Sequence, residues 1–294
     1  MIDSLRPLFE NHSKKMMILP LLLILVSFIF LVNAQITTGE FLKKDASLSG
    51  GMTVTLYTPS PIDHSSLEKI LKKSFTEVNI RGLSEFGTSR EIGVVIETIE
   101  IQEDLMRSSI LEATGIEMTN ENSSIEVVGS SLGESFYSQM VRGLIFAFLF
   151  MSLTVFITFR KFSPSIAVIF AALGDMIVTI AVLNILDIRI SSAGIASLLL
   201  LIGYSVDTDI LLTTRLLKKR EGSIIDGIIS SIKTGLTMTF TAIGAVLVGY
   251  FFSSSLVIKQ MFLIIIIGLI TDIIMTYMFN APLLQYYLNK KGEK

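Results

Sequence analysis

The sequence predicts a polytopic α-helical membrane protein with six transmembrane helices and one α+β domain inserted after the first helix. Three observations carry this reading. The 294 residues are 51% hydrophobic and only 17% charged, with a mean hydropathy of +0.67, whereas a soluble domain carries about a quarter charged residues. Six apolar runs approach the roughly 20 residues needed to cross a hydrocarbon core about 30 Å thick. Between the first and second run lies a stretch of different character, residues 35–139, with charged residues and short alternating runs.

The runs are 16–34, 141–159, 164–186, 191–212, 235–252 and 260–287. Basic residues in short loops mark the cytoplasmic side. Arg6, Lys14 and Lys15 precede the first run, Arg160 and Lys161 follow the second, and Arg215, Lys218, Lys219 and Arg220 follow the fourth. Lys290, Lys291 and Lys294 close the tail, residues 289–294. All of these fall on one side if each run crosses once. The other side's short loops hold only Asp187, Arg189 and Lys259. Both termini, including residues 1–15, are therefore expected in the cytoplasm of a cell-membrane protein, with residues 35–139 outside. The first run also resembles a secretory signal, with Val32-Asn33-Ala34 at its end. Its apolar stretch is longer than a usual signal core, which favours a retained anchor, and either outcome exports the same insert.

Inside the insert, Thr53 to Tyr57 alternates as a half-buried strand does. A helix is expected over Ser65–Phe75, strands over Glu77–Ser84 and Glu91–Glu100, a second helix over Gln102–Thr114 and a last strand over Ser124–Val128. The resulting order β-α-β-β-α-β is that of a ferredoxin-like domain. It contains no phosphate loop, metal-ligand cluster or nucleophile–base pair, so it reads as a binding or mechanical module.

The membrane region carries the informative residues. Asp175 falls in the third run, Asp207 and Asp209 in the fourth and Asp272 in the sixth. Each acid near the bilayer centre costs roughly 2.5–3.5 kcal/mol on insertion scales, so these should face a bundle interior, a water-filled cavity or a partner. Asp207 and Asp209 are two residues apart, about 200° around a helix, and cannot serve one narrow site. Asp175, Asp207 and Asp209 are the candidate proton or ion relay; Thr208, Lys233 and Asp272 are secondary candidates. Thr237, Thr241 and Gly244 form a polar, small-residue stripe. It reads either as helix packing, with hydroxyls bonded to carbonyls across an interface, or as a hydrated path beside the aspartates. Arg215 is expected to snorkel to the surface.

Several function classes are excluded. A net charge of −2 gives no basic surplus for nucleic acid, the absence of cysteine removes thiol and disulfide chemistry, and two histidines, His12 and His64, do not make a metal site. No cofactor and no enzymatic activity are expected. An intramembrane aspartyl protease needs two carboxylates sharing a proton; the Asp207/Asp209 spacing cannot provide that within one helix, Asp175 would have to supply the second group, and the surrounding residues fit no protease motif.

A family resemblance rests on several of these residues. Gly50-Gly51 before the first strand resembles a paired-glycine motif. Val128-Gly129-Ser130-Ser131-Leu132-Gly133 resembles V-G-P-x-L-G, with Ser130 in place of proline. Ala171-Ala172-Leu173-Gly174-Asp175 resembles a pattern ending in His-Asp, with Gly174 in the histidine place. Gly203-Tyr204-Ser205-Val206-Asp207-Thr208-Asp209 resembles the fourth-span motif G-Y-S-x-N-D-T, whose aspartate falls on Thr208. The fifth-span arginine of that family is replaced by Lys233 or Thr234, and Asp272 stands where a glycine is expected. On these motifs the chain resembles the SecF family, the smaller membrane subunits of SecDF protein-export complexes in the RND superfamily. The resemblance implies a half-RND architecture, pairing with SecD, work beside the Sec channel on unfolded preprotein in the lipid bilayer, and ion-gradient-coupled cycling. Gly50, Gly51, Gly129, Gly133, Gly203, Tyr204, Thr237 and Thr241 are then motif and packing positions. The alternative is a half-RND exporter of lipids or small molecules acting as a homo-oligomer.

Overall fold

The computed structural model describes residues 6–84, 90–217, 223–253 and 255–291; Lys218, Lys219, Arg220 and Lys294 of the basic clusters lie outside them. Among the described residues, six helices are long and apolar enough to cross a membrane. A short α1 (Arg6–Asn11) and α2 (Ser13–Met16) lead into α3 (Ile18–Thr38), the first of the apolar helices. After the inserted segment come α7 (Ser130–Phe159), α8 (Phe162–Ile185), α9 (Ser192–Leu217), α10 (Ile224–Phe252) and α11 (Leu256–Ile274). A π-helical turn at Met275–Asn280 then joins α11 to α12 (Ala281–Lys290).

The inserted segment holds α4 (Ala46–Ser49), β1 (Gly51–Tyr57), α5 (His64–Ser74), β2 (Val78–Ser84), β3 (Glu91–Thr98), α6 (Glu103–Thr114) and β4 (Ser123–Val128). Its four strands form one antiparallel sheet in the order β2-β3-β1-β4. The alternation of β1 decides which face is covered. Met52, Val54 and Leu56 are fully buried against Leu67 and Leu71 of α5 and Met106 and Ile110 of α6. Each such side chain contributes about 1.5–3 kcal/mol by leaving water. Thr53 and Thr55 lie on the other, polar face with Arg81 and Glu97.

In the bundle α8, α9 and α11 form the interior, while α7 and α10 turn most of their length outward. Two helices extend past their apolar runs, for readable reasons. At about 1.5 Å per residue, the 30 residues of α7 reach well beyond the hydrocarbon core, so residues 130–139, expected within the inserted domain, are its polar first turns. α10 begins at Ile224 because Ser223 and Asp226 make a reciprocal capping box, a start signal that hydropathy ignores.

Glycines set two close approaches. A Cβ on Gly133 of α7 would strike the Gly50 backbone amide, and one on Gly50 would meet the Ser130 backbone. Gly51 has φ +143° and lies against the Thr98 carbonyl. The chain entering the sheet and the chain leaving it therefore cross in backbone contact. Gly129 caps the start of α7 and has open space around it. In the membrane region, Gly174 lets Ile24 of α3 approach α8, since a Cβ there would lie 2.8 Å from Ile24 Cδ1.

At the end opposite the sheet, α1 docks on the bundle through Phe9, which is 1% exposed. That burial is worth about 1.5–3 kcal/mol, and the half-exposed, water-screened Arg6–Asp226 ion pair adds little to it.

Replacing Gly133 by valine is expected to separate α7 from α4 at the crossing and to cost about 1–3 kcal/mol. Thermal unfolding of the detergent-purified protein should show a drop of several degrees, whereas the same change at the open Gly143 position should leave the midpoint unmoved.

Candidate functional site

Three carboxylates from three helices meet inside the bundle. Asp175 of α8, Asp209 of α9 and Asp272 of α11 are each no more than 1% exposed. Asp175 and Asp209 both lie within charge–charge range of Asp272. Each carboxylate has partners from a neighbouring helix. Ser205 Oγ donates to Asp175 Oδ2 at 2.5 Å, and Asn280 Nδ2 donates to Asp209 Oδ1 at 2.7 Å. Asp272 is flanked by the hydroxyls of Thr208, 2.9 Å from Oδ2, and Thr276, 3.0 Å from Oδ1. Among the described residues no lysine or arginine forms an ion pair with any of the three.

Local sequence explains the placement. Ser205, Thr208 and Asp209 stand at i, i+3 and i+4 and so share one face of α9. Thr276 and Asn280 are delivered by the π-helical turn. Pro282 lacks an amide hydrogen, which leaves the Met278 carbonyl without its α-helical donor and lets the turn widen. Such widened turns recur at functional sites.

The cluster is not saturated. Asp175 Oδ1, Asp209 Oδ2, Asn280 Oδ1, Tyr277 OH, Thr179 Oγ1 and Thr213 Oγ1 are all buried with no hydrogen-bond partner among the described residues. Thr179 lies one turn from Asp175 toward the sheet end, and Thr213 one turn from Asp209 toward the other end. They extend the polar cluster by about one helical turn toward each end, as a file along α8 and α9. Buried polar groups are normally paired, so this file is suited to water and to proton transfer.

Of the sequence candidates, Asp175, Asp209, Asp272 and Thr208 converge here. Asp207 does not: with Gly203 and Tyr204 it lies on the outward face of α9, as the angular offset from Asp209 requires. Lys233, Thr237 and Thr241 lie on the outward face of α10. The Thr237 and Thr241 hydroxyls bond back to carbonyls of their own helix, at 2.8 and 2.7 Å, and not across an interface. Arg215 lies part-exposed in the last turn of α9, at the end where snorkelling to the surface is expected. Its guanidinium bridges to α10, with Nη1 2.6 Å from the Ser230 carbonyl oxygen and Nη2 2.9 Å from Thr234 Oγ1. Thr276 and Asn280 escape sequence reasoning, and the only signal that points to them is Pro282 after an apolar run.

The loop joining α8 to α9, which carry two of the carboxylates, is stitched to the root of the sheet domain. Asn184 Nδ2 donates to the Phe41 carbonyl at 2.8 Å, and Lys43 pairs with Asp187. The Ile190 amide donates to the Lys43 carbonyl at 2.7 Å, and the Asp45 amide to the Ile190 carbonyl at 3.1 Å. Gln260 of α11 braces the same loop through Ser191 Oγ at 2.5 Å and the Arg189 carbonyl. Above it, a cleft of about 560 Å³ separates the polar sheet face from the bundle and is lined by Asp45, Arg81, Glu97, Glu126, Ser191 and Gln260. This cleft is separate from the buried carboxylates. At its floor, burial pushes the Asp45 carboxyl up to about 6, against the opposing hydrogen bond from Ser47 and with the help of the Glu97 charge.

Fold and site together define a six-span helical membrane protein with an acidic interior and a sheet domain rooted on the loop between two of its acidic helices. The sequence profile of the SecD/SecF protein-export membrane proteins, C-terminal region, matches residues 109–290. Over 99% of this chain and 97% of its own length, the protein-export membrane protein SecF of Pyrococcus furiosus is 35% identical. The SecF of Methanocaldococcus jannaschii is 33% identical over 85% of this chain and 89% of its own. Among solved structures, the crystal structure of SecDF from Thermus thermophilus, a translocon-associated membrane protein, matches 94% of this chain with a TM-score of 0.74 at 19% identity. SecDF in its super-membrane-facing form matches 98% with a TM-score of 0.55 at 17% identity. This chain spans only 38% of the first SecDF chain and 39% of the second. The chain belongs to the SecF family of protein-export membrane proteins.

For Asp45 the sign follows from its raised folded-state value. Its ionised form is disfavoured in the folded protein, so stability is present at low pH and is lost as pH rises from about 4 through about 6. Stability against thermal unfolding should therefore rise by a component of about 1 kcal/mol between pH 7 and pH 5. Asp45→Asn, which keeps the helix cap, should abolish that component.

Proposed function

We propose that this chain is a non-enzymatic accessory subunit of the Sec protein translocase, acting with SecD to promote preprotein export across the cytoplasmic membrane through proton-coupled conformational cycling. The observation that carries the reading is the buried trio Asp175, Asp209 and Asp272 on helices whose connecting loop is hydrogen-bonded to the root of the sheet domain. Relatives that match nearly end to end are named SecF, which favours this over the stand-alone exporter.

The orientation we infer puts both termini in the cytoplasm and the sheet outside. Arg6, Lys14, Lys15, Arg160, Lys161, Arg215 and Lys290 all belong to helix ends or loops away from the sheet, as basic loops on the cytoplasmic side demand. The sheet domain reads as a ferredoxin-like module from its strand order and its two helices on one face. Its polar face and cleft would meet the emerging preprotein or the external part of SecD.

The mechanism rests on charge balance. Three buried carboxylates need positive charge, and the hydroxyls around them, with water in the file, can hand on a proton. Each elementary charge crossing the membrane supplies about 2.3 kcal/mol per 100 mV. Binding and release of that proton shifts the α8–α9 pair between two packings, and the stitched loop passes the shift to the sheet domain. The outward face bearing Gly203, Tyr204, Asp207, Lys233 and Thr237 combines small and polar residues in a lipid-depth position. It suits pairing with a second helical bundle, the place SecD would take.

Asp209→Asn with Asp272→Asn should reduce export of a reporter preprotein in a host lacking its own copy at least about fivefold, with protein abundance unchanged. Full export by that double variant would remove the relay. Separately, mild-detergent extraction of the tagged protein should recover a second membrane protein of the same layout in near-equal amount, and Asp207→Leu with Lys233→Leu should lower that yield. Recovery of a homo-oligomer alone would favour the exporter.

A further inference from the structure

Helix α1 makes contacts that neither the relay nor the sheet domain requires. It lies across the end of the bundle opposite the sheet and is fastened at three points. The Phe9 ring sits in the apolar cluster that contains Leu212 and Leu216 of α9, Ile232 of α10, Tyr277 and Leu284. Gln285 Nε2 donates to the Phe9 carbonyl at 3.1 Å, and Arg6 Nη2 meets Asp226 Oδ1 at 2.5 Å. Pro7, Leu8, Glu10 and Asn11 are exposed, so one side chain holds most of the helix in place.

The position of this attachment is informative. The polar file runs from Asp209 to Thr213, and Thr213 is flanked in sequence by Leu212 and lies three residues before Leu216. Tyr277, whose hydroxyl is buried and unpartnered, belongs to the same cluster as Phe9. The cluster that Phe9 completes therefore stands between the file and this end of the molecule. The seat of α1 is also not purely apolar. Gln285 is 6% exposed; among the described residues its Oε1 has no partner and its amide donates to the backbone of α1. A permanently dry seat gains nothing from a half-satisfied amide, which is costly to bury. A seat that fills with water when α1 lifts satisfies both of its atoms.

We propose that α1 is a removable plug, with Phe9 sealing the file of buried polar atoms at the end opposite the sheet. Seated, it keeps water and protons from reaching Asp209 along Thr213; lifted, it admits them. The inference rests on the relay reading above and adds to it a gate on one side, which is what alternating access to a buried proton site requires.

The chain contains no cysteine, so one introduced thiol reports on one place. Thr213→Cys, in the full-length protein in permeabilised proteoliposomes, is labelled with a small charged methanethiosulfonate, and Ala181→Cys, buried toward the sheet end, serves as reference. Adding Phe9→Ala should raise the labelling rate at position 213 at least about tenfold, by populating the open seat. Phe9→Leu should stay near the parent rate, and position 181 should not change with either. An unchanged rate at 213 in Phe9→Ala overturns the plug. So does an equal acceleration at 181, which marks general loosening. Export by the Asp209/Asp272 double variant is scored separately: a normal result there removes the relay without altering the labelling, so the two ideas fail by different measurements.

Discussion

A carboxylate placed among hydrocarbon side chains must be supplied with partners, and this chain places three of them together. That constraint organises the bundle. α9 presents Ser205, Thr208 and Asp209 on a single face because Asp175 and Asp272 approach from either side. The helix after α11 widens into a π-turn at the point where Thr276 and Asn280 are needed. The most interior helices are the acidic ones, while α7 and α10, with no buried acid, are left to face outward. The apolar clusters pack around this polar centre; they do not replace it.

The second organising feature is mechanical. A change in the packing of α8 against α9 is of little use unless something outside the membrane feels it. The loop between these two helices is braced by Gln260 and hydrogen-bonded along residues 41–47, a segment that runs on through α4 into β1. The helices that carry Asp175 and Asp209 and the root of the sheet thus share one set of hydrogen bonds. The same region carries Asp45, a carboxyl that titrates near pH 6, so the acidity on that side bears on how firmly the sheet is held.

Much of this was legible in the sequence, for definite reasons. The six apolar helices are long, and hydropathy over twenty residues is a strong signal. The strand–helix order of the insert follows from alternation in β1 and from the helical spacing of Leu67, Ile70 and Leu71. The candidate site was half legible. Asp175, Asp209 and Thr208 stand out as polar residues in apolar runs, and the offset between Asp207 and Asp209 already says that only one can face inward. Which one does so depends on the rotation of α9 against its neighbours, a tertiary property. Thr276 and Asn280 were not legible, because their importance comes from a local change of helix type. Thr237 and Thr241 misled for a related reason: a hydroxyl satisfied by its own helix leaves the same sequence pattern as one that bonds across an interface.

The backbone crossing at Gly50 and Gly133 has a consequence for how such a protein can change over time. The chain entering the sheet domain and the helix leaving it cross in backbone contact, so the bundle senses the domain through that crossing, the stitched loop and the packing of Leu42 and Leu48 beside them. Any folded unit whose two ends lie side by side could be spliced in at the crossing without repacking a transmembrane helix. The glycines thereby make the domain an exchangeable attachment, free to acquire new surfaces while the acidic machinery beneath it stays fixed.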